Sequence, residues 1–78
     1  MKQDEMMLRK YRDFEQVLQA KGMRPIDFEK KLPSKEATMF QQMRMNRNRM
    51  VHGLKPIPQK VETVLMWCGF LDELKARA

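Results

Sequence analysis

The chain has 78 residues and a net charge of +6, and a sequence of this length folds as one domain, residues 1–78, around a small hydrophobic core. Its single cysteine excludes an internal disulfide, and one cysteine with one histidine argues against a structural metal or other cofactor. No apolar run approaches the roughly 20 residues of a membrane span, so we predict a cytoplasmic protein whose remaining route to a larger core is self-association.

The first predicted helix covers residues 5–20. Its apolar residues recur in steps of four, three and four, at Met7, Tyr11, Phe14 and Leu18. Such spacing is typical of one buried helical stripe. Gly22 suits the left-handed position just past a helix terminus. A second helix of about two turns begins at Pro25, where a missing N–H costs nothing, and stops before Pro33.

The third predicted segment covers residues 34–52. Ser34 or a residue beside it is a candidate N-cap, and Gly53 is a suitable terminator. One helical stripe faces the core, consisting of Met39, Met43, Asn46 and Met50. No strong helix breaker lies inside the segment. The sequence therefore allows two alternatives: one helix of about five turns, or two shorter helices that meet near Arg44.

The last third of the chain predicts a fourth helix that opens at Pro58. Its apolar stripe follows the i, i+3, i+4, i+7 rule at Val61, Val64, Leu65 and Cys68. Trp67 is predicted to pack in the core, with a dimer contact as the alternative. Gly69 is expected to interrupt the helix and leave a short helix or tail over residues 70–78. The predicted fold is therefore an all-α, compact bundle of four to five short helices.

The excess positive charge is confined to the middle of the chain. Residues 23–60 hold nine basic and three acidic side chains, whereas residues 37–61 hold no acid at all. A local excess of this kind attracts an anionic partner, of which double-stranded DNA is the leading candidate. The alternative is a solvated face whose arginine stems cover the core.

The candidate DNA-binding residues combine base-reading and phosphate-binding side chains. They are Gln41, Arg44, Arg47, Asn48, Arg49, Lys55 and Lys60. Arginine reads guanine and asparagine reads adenine through paired hydrogen bonds in the major groove. Arg47, nearer the apolar side, and the two lysines after the helix are better suited to phosphates, which set register without reading sequence.

The order of elements resembles the lambda-repressor/Cro (XRE-type) family of helix-turn-helix repressors. The resemblance is carried by "FEQVLQAKGMRPIDFEKKL", residues 14–32, and "MVHGLKPIPQKVETVLMWCGFLDELK", residues 50–75. It implies five helices, of which the second and third form the helix-turn-helix, with a recognition helix over residues 44–52.

The chain departs from that family at three places. Glu29 stands where the second helix usually has a small residue, and Pro33 with Ser34 replaces the usual glycine of the turn. The stretch between Leu32 and Gly53 is also several residues longer than a standard turn plus recognition helix. The resemblance implies that these extra residues form an elongated connector.

Two functions follow from these observations. The first is a small transcriptional repressor of phage or mobile-element type, which acts as a homodimer on a two-fold operator. The second is a helical antirepressor or antiactivator that binds a regulatory protein through its Met-rich helix. His52 has no nucleophile beside it and the chain has no glycine-rich phosphate loop, so we predict no catalytic residues and no enzymatic activity.

Overall fold

The computed structural model describes residues 2–77, a range that contains four α-helices and no β-strand. The helices are α1 (Lys2–Ala20), α2 (Pro25–Glu29), α3 (Ser34–Val51) and α4 (Val61–Arg77). The predicted all-α bundle is confirmed, and of the two helix counts left open, four is correct.

The end of α1 follows the predicted glycine. Gly22 adopts a φ of +68°. Its N–H donates to the Gln19 carbonyl at 2.9 Å, and the Met23 N–H donates to the Leu18 carbonyl at 3.0 Å. This pair of bonds satisfies carbonyls that a helix end otherwise leaves open, and it requires a left-handed residue at its centre. The helix begins at Lys2, earlier than the predicted residue 5.

The second helix is shorter than the two turns predicted. After Glu29 the chain tightens, because the Lys31 N–H donates to the Phe28 carbonyl at 3.0 Å and the Leu32 N–H to the Glu29 carbonyl at 3.1 Å. These i→i+3 bonds are typical of a helix end. Pro33 follows, and the residue before a proline avoids helical dihedrals.

The third segment is a single helix, α3. Of the predicted cap candidates, Ser34 or a residue beside it, the N-cap position is taken by Pro33, and no side-chain cap bond is made. Ser34 is instead the first helical residue, and its carbonyl accepts a bond from the Thr38 hydroxyl at 3.0 Å. The elongated connector expected from the family resemblance is also wrong, since residues 34–43 form the first half of α3.

The fourth helix differs from the prediction at both ends of its expected range. It begins at Val61 rather than Pro58, and it continues through Gly69 to Arg77. An interior glycine costs a helix roughly 0.5–1 kcal/mol. Trp67 and Phe70, on either side of Gly69, are buried, and burial of each large side chain is worth about 1.5–3 kcal/mol, so the helix is maintained.

Helices α1 and α4 lie parallel along their whole length. Near their N-termini, Asp4 and Val61 line the same groove. Further along, the Lys10 ammonium lies 2.8 Å from an Asp72 carboxylate oxygen. Leu18 and Leu74 share a cleft at the C-terminal end. The two apolar stripes therefore face each other throughout and form one side of the core.

The other side of the core is aromatic and centres on Phe40 of α3. The Phe40 ring lies 5.6 Å from Tyr11, 6.1 Å from Phe14 and 5.7 Å from Phe28, measured between ring centroids. These distances are typical of favourable aromatic pairs. Trp67 is also fully buried, which confirms the core prediction and makes the alternative of a dimer contact at Trp67 wrong.

Candidate nucleic-acid interface

One face of α3 points away from the bundle along the length of the helix. Phe40, Met43 and Asn46 lie on the opposite, buried face. The exposed and half-exposed residues of the outward face, called here the outward stripe, are Thr38, Gln41, Gln42, Met45, Asn48, Arg49 and His52. They recur every three or four residues on a helix of 18 residues, which is about 27 Å long. The outward stripe contains no acid.

Arg44 lies at the flank of this stripe and is turned toward α2. Its Nε donates to Glu29 Oε1 at 3.0 Å, and the two side chains are only 23% and 16% exposed. Partial burial shields such a pair from salt and water more than a surface ion pair. The guanidinium that was predicted to read a base therefore helps to hold α2 against α3.

Arg47 lies at the other flank and is turned toward α1. One of its terminal nitrogens lies 3.3 Å from the Glu15 carboxylate, and the other donates to Asn48 Oδ1 at 3.0 Å. The guanidinium carbon is 6.0 Å from the centre of the Tyr11 ring, within the range of a cation–π contact. Its buried Nε has no partner within residues 2–77. Arg47 thus connects α3 to α1, on the apolar side where the prediction placed it.

The segment after α3 is fixed to the helix by two hydrogen bonds. Arg49 Nε donates to the Lys55 carbonyl at 2.8 Å, and Asn46 Oδ1 accepts a bond from the Ile57 N–H at 3.0 Å. Gly53, with a φ of +76°, makes the sharp turn that brings the segment back. These contacts hold Lys55 beside the C-terminal half of α3, and Lys60, further along the same segment, is also exposed.

The free positive charge of this region is smaller than its sequence suggests. The charges of Arg44 and Arg47 are compensated by carboxylates of other helices. The charge of Arg49 is not compensated, because its partner is a neutral carbonyl. Among residues 2–77, four cations on α3 and the following segment have no acidic partner: Lys35, Arg49, Lys55 and Lys60. These four charges are not compensated by a neighbouring carboxylate and keep the local potential positive.

The structure brings most of the predicted residues together on and beside α3, in two groups, with Lys60 apart from them. Gln41, Asn48 and Arg49 lie on the outward stripe, Lys55 is bonded to Arg49, and Lys60 lies just before α4. Arg44 and Arg47 are held at its flanks. The prediction missed Thr38, Gln42 and His52 as outward polar residues, although their spacing from Gln41 and Asn48 was a usable signal.

The role of Asn46 was also missed. The sequence placed this residue on the apolar stripe with the methionines, and the side chain is indeed only 2% exposed. A buried amide requires hydrogen-bond partners, and Asn46 meets this need by holding the Ile57 backbone. A single polar residue on an otherwise apolar stripe was the signal for such a role.

Two further features concern the cysteine and the potential metal ligands of the described residues. Burial raises the pKa of the Cys68 thiol, which lowers the fraction of reactive thiolate. No cluster of three histidine, cysteine, aspartate or glutamate side chains within residues 2–77 is placed to bind a metal. None of the four described helices has the length and apolar content needed to cross a membrane.

The comparisons with known proteins give no family to assign. The chain matches no protein-family model, no curated protein and no solved structure. The geometry of α3 and its surroundings is thus the basis for any functional proposal.

Proposed function

We propose that the protein is a small sequence-specific DNA-binding regulator, a repressor of phage or mobile-element type that acts in the cytoplasm. The observation that carries the proposal is the outward stripe: a continuous helix that presents amide, guanidinium and hydroxyl groups without an acid. An α-helix fits the major groove of B-form DNA, which is roughly 12 Å wide. The stripe has the length and the chemistry for that groove.

The individual residues have distinct roles in this proposal. Gln41 and Asn48 read adenine through paired hydrogen bonds, and the exposed Met45 side chain packs on thymine methyl groups. Arg49 contacts guanine or a phosphate. Lys55 and Lys60 bind the backbone and set the register of the helix. Arg44 and Arg47 do not contact DNA in this proposal. They hold α3 against the neighbouring helices through their ion pairs with carboxylates.

The proposed mechanism is occlusion of a promoter. Two copies that place their α3 helices about one DNA turn, roughly 34 Å, apart recognise a two-fold operator and exclude polymerase. In this proposal α2 and α3 form the helix-turn-helix, as the resemblance to lambda-repressor/Cro-type proteins implies for the second and third helices. The full α3, rather than residues 44–52 alone, is the recognition helix in this proposal.

The test is a selection of binding sites from a random duplex pool, followed by fluorescence-anisotropy titrations at two salt concentrations. We expect one enriched sequence and an affinity that falls by about 0.9 log units per log unit of salt for each phosphate neutralised. The double variant Gln41→Ala/Asn48→Ala should weaken binding to the selected site by tenfold or more, because a paired base contact contributes about 1–3 kcal/mol.

The matched control is Gln16→Ala/Gln19→Ala, which removes two exposed amides from α1. It should leave the affinity unchanged. A pool without enrichment, or an equal loss in both double variants, would contradict the proposal.

A second candidate is a regulator that binds another protein, such as an antirepressor or antiactivator. It is favoured by three exposed apolar side chains around the basic region, Met45, Val51 and Leu54. Exposed methionine packs adaptably against apolar grooves. Under this candidate the selection gives no enriched duplex, and Met45→Ala, rather than the amide variants, abolishes capture of one defined protein partner.

A further inference from the structure

The exposed face of α4 carries several large apolar side chains that are in contact with water. The predicted core stripe is half wrong: Val64 and Cys68 are buried, but Leu65 is 50% exposed and Val61 is also exposed. The buried positions are taken by Trp67, Phe70, Leu71 and Leu74 instead. Met66, next to Leu65 on the exposed side, is 54% exposed. The face as a whole, called here the α4 face, consists of Val61, Glu62, Leu65, Met66, Gly69, Asp72 and Glu73.

We propose that the α4 face is the surface through which two copies of this chain associate. The occupant is a second copy, paired about a two-fold axis that passes close to Met66. The assignment deepens the dimeric part of the proposed function, but it is drawn from α4 alone and its test contains no DNA.

The centre of the α4 face suits close approach of another helix. Leu65 and Met66 supply large apolar side chains, and the surface around Gly69 is open, since a Cβ atom there meets no other atom within 4 Å. A two-fold axis near Met66 pairs the two α4 helices antiparallel, so Leu65 and Met66 of each copy meet their counterparts. Glu62 then lies opposite the Gly69 position of the other copy, not opposite another acid.

The charges of the α4 face also favour a second copy. Asp72 is compensated by Lys10 at 2.8 Å, and Glu73 by Arg77 at 3.0 Å, both within the protomer. Residues 61–78 carry a net charge of −1, whereas residues 23–60 carry +6. Contact through α4 therefore joins the segments of two strongly basic chains that carry no excess of positive charge, and the α4 face shares no residue with the outward stripe.

The surface area points to association that depends on concentration. The protomer exposes 5461 Å². A folded monomer of 9.4 kDa exposes roughly 5000 Å². A face built on one helix of 17 residues belongs to the low end of specific interfaces, which bury roughly 600 Å² per partner. We therefore expect monomer and dimer in exchange, with a dissociation constant that sedimentation can measure.

The test is sedimentation equilibrium of the full chain over a wide concentration range, without DNA. Met66→Asp should raise the dimer Kd by tenfold or more, because a carboxylate would be buried at the centre of the contact. Leu54→Asp is the matched control, since Leu54 is also 54% exposed but lies after α3. It should leave the Kd unchanged.

A second variant separates association from folding. Gly69→Lys places a good helix former at a position with open space, so the protomer should stay folded by circular dichroism. The lysine side chain would nevertheless block the partner helix, and the dimer should dissociate. A chain that is monomeric at every concentration, a dimer that survives both α4 variants, or equal dissociation in the Leu54→Asp control would overturn the proposal.

Discussion

The side-chain oxygen of Asn46 accepts a hydrogen bond from the backbone N–H of Ile57 at 3.0 Å, and this buried contact fixes the proline-containing segment to α3. The contact lies between residues 11 positions apart, so it links a helix interior to the loop that follows it. Its loss would free the segment on which Lys55 stands.

We expect Asn46→Leu to lower the free energy of unfolding by about 1–3 kcal/mol. The leucine side chain fills a similar volume, but the Ile57 N–H loses its acceptor in a partly buried place. Urea denaturation gives the stability change, and amide exchange by NMR should show faster exchange at Ile57 than in the parent chain. Asn48→Leu, a similar change on the outward stripe, should leave Ile57 exchange unaltered.

Removal of the Glu29 charge should release Arg44 from α2. We expect Glu29→Gln to increase the affinity for the selected duplex and to steepen its salt dependence by about 0.9, the value for one additional phosphate contact. Asp13→Asn makes the same change in net charge on an exposed part of α1 and should alter the slope little. Equal effects of the two variants would show that total charge, and not the position of Arg44, controls binding.

Alanine substitution should lower the free energy of unfolding at Gly22 and Gly53 and raise it at Gly69. Gly22 and Gly53 have φ values of +68° and +76°, where an L-residue with a side chain is strained, so each alanine variant should lose about 1 kcal/mol. Gly69 lies in a helix interior with open space around its Cα, and Gly69→Ala should gain roughly 0.5–1 kcal/mol. Urea denaturation at low protein concentration measures all three, and a loss at Gly69 would contradict the described α4.

Alkaline pH should destabilise the chain because the phenol of Tyr11 and the thiol of Cys68 are buried in their protonated forms. Burial raises the pKa of Tyr11 well above its ordinary value of 10.0, and it also raises that of Cys68 above 9.0. Below those ordinary values both groups are protonated in the folded and unfolded states, and their contribution to stability is complete. As the pH rises further, only the unfolded chain releases these protons, so the free energy of unfolding falls.

The single tyrosine makes this prediction easy to follow. Phenolate absorbance at 295 nm should appear together with the loss of helical circular dichroism, at a pH above 10. The Tyr11→Phe variant should keep its helical signal to higher pH. Phenolate that appears near pH 10 in a chain that is still helical would show that Tyr11 is accessible to solvent.

The sequence predicted best those features that depend on local spacing. In α1 the predicted stripe of Met7, Tyr11, Phe14 and Leu18 has mostly polar residues on the opposite side of the helix, so periodicity identifies one face, and all four are buried. In α4 apolar residues occupy most of the circumference, and spacing alone cannot choose between the face of Leu65 and the face of Trp67. The larger aromatic side chains determine the choice, because their burial removes more apolar surface from water.

The candidate site was predicted in composition but not in geometry. The pairs Arg44–Glu29 and Arg47–Glu15 join residues 15 and 32 positions apart in sequence. No local pattern indicates which arginine meets a carboxylate of another helix and which faces outward. That division depends on how α1 and α2 pack on α3, which only the folded bundle determines.

The parallel pairing of α1 with α4 also has a consequence for synthesis of the protein. Lys10 and Asp72, which mark this pairing, are 62 residues apart. While a ribosome is still translating the middle of the chain, the apolar stripe of α1 has no α4 to cover it. Nascent chains that end before Val61 should therefore be substrates for chaperones and proteases, and the bundle should close only after translation of its last helix.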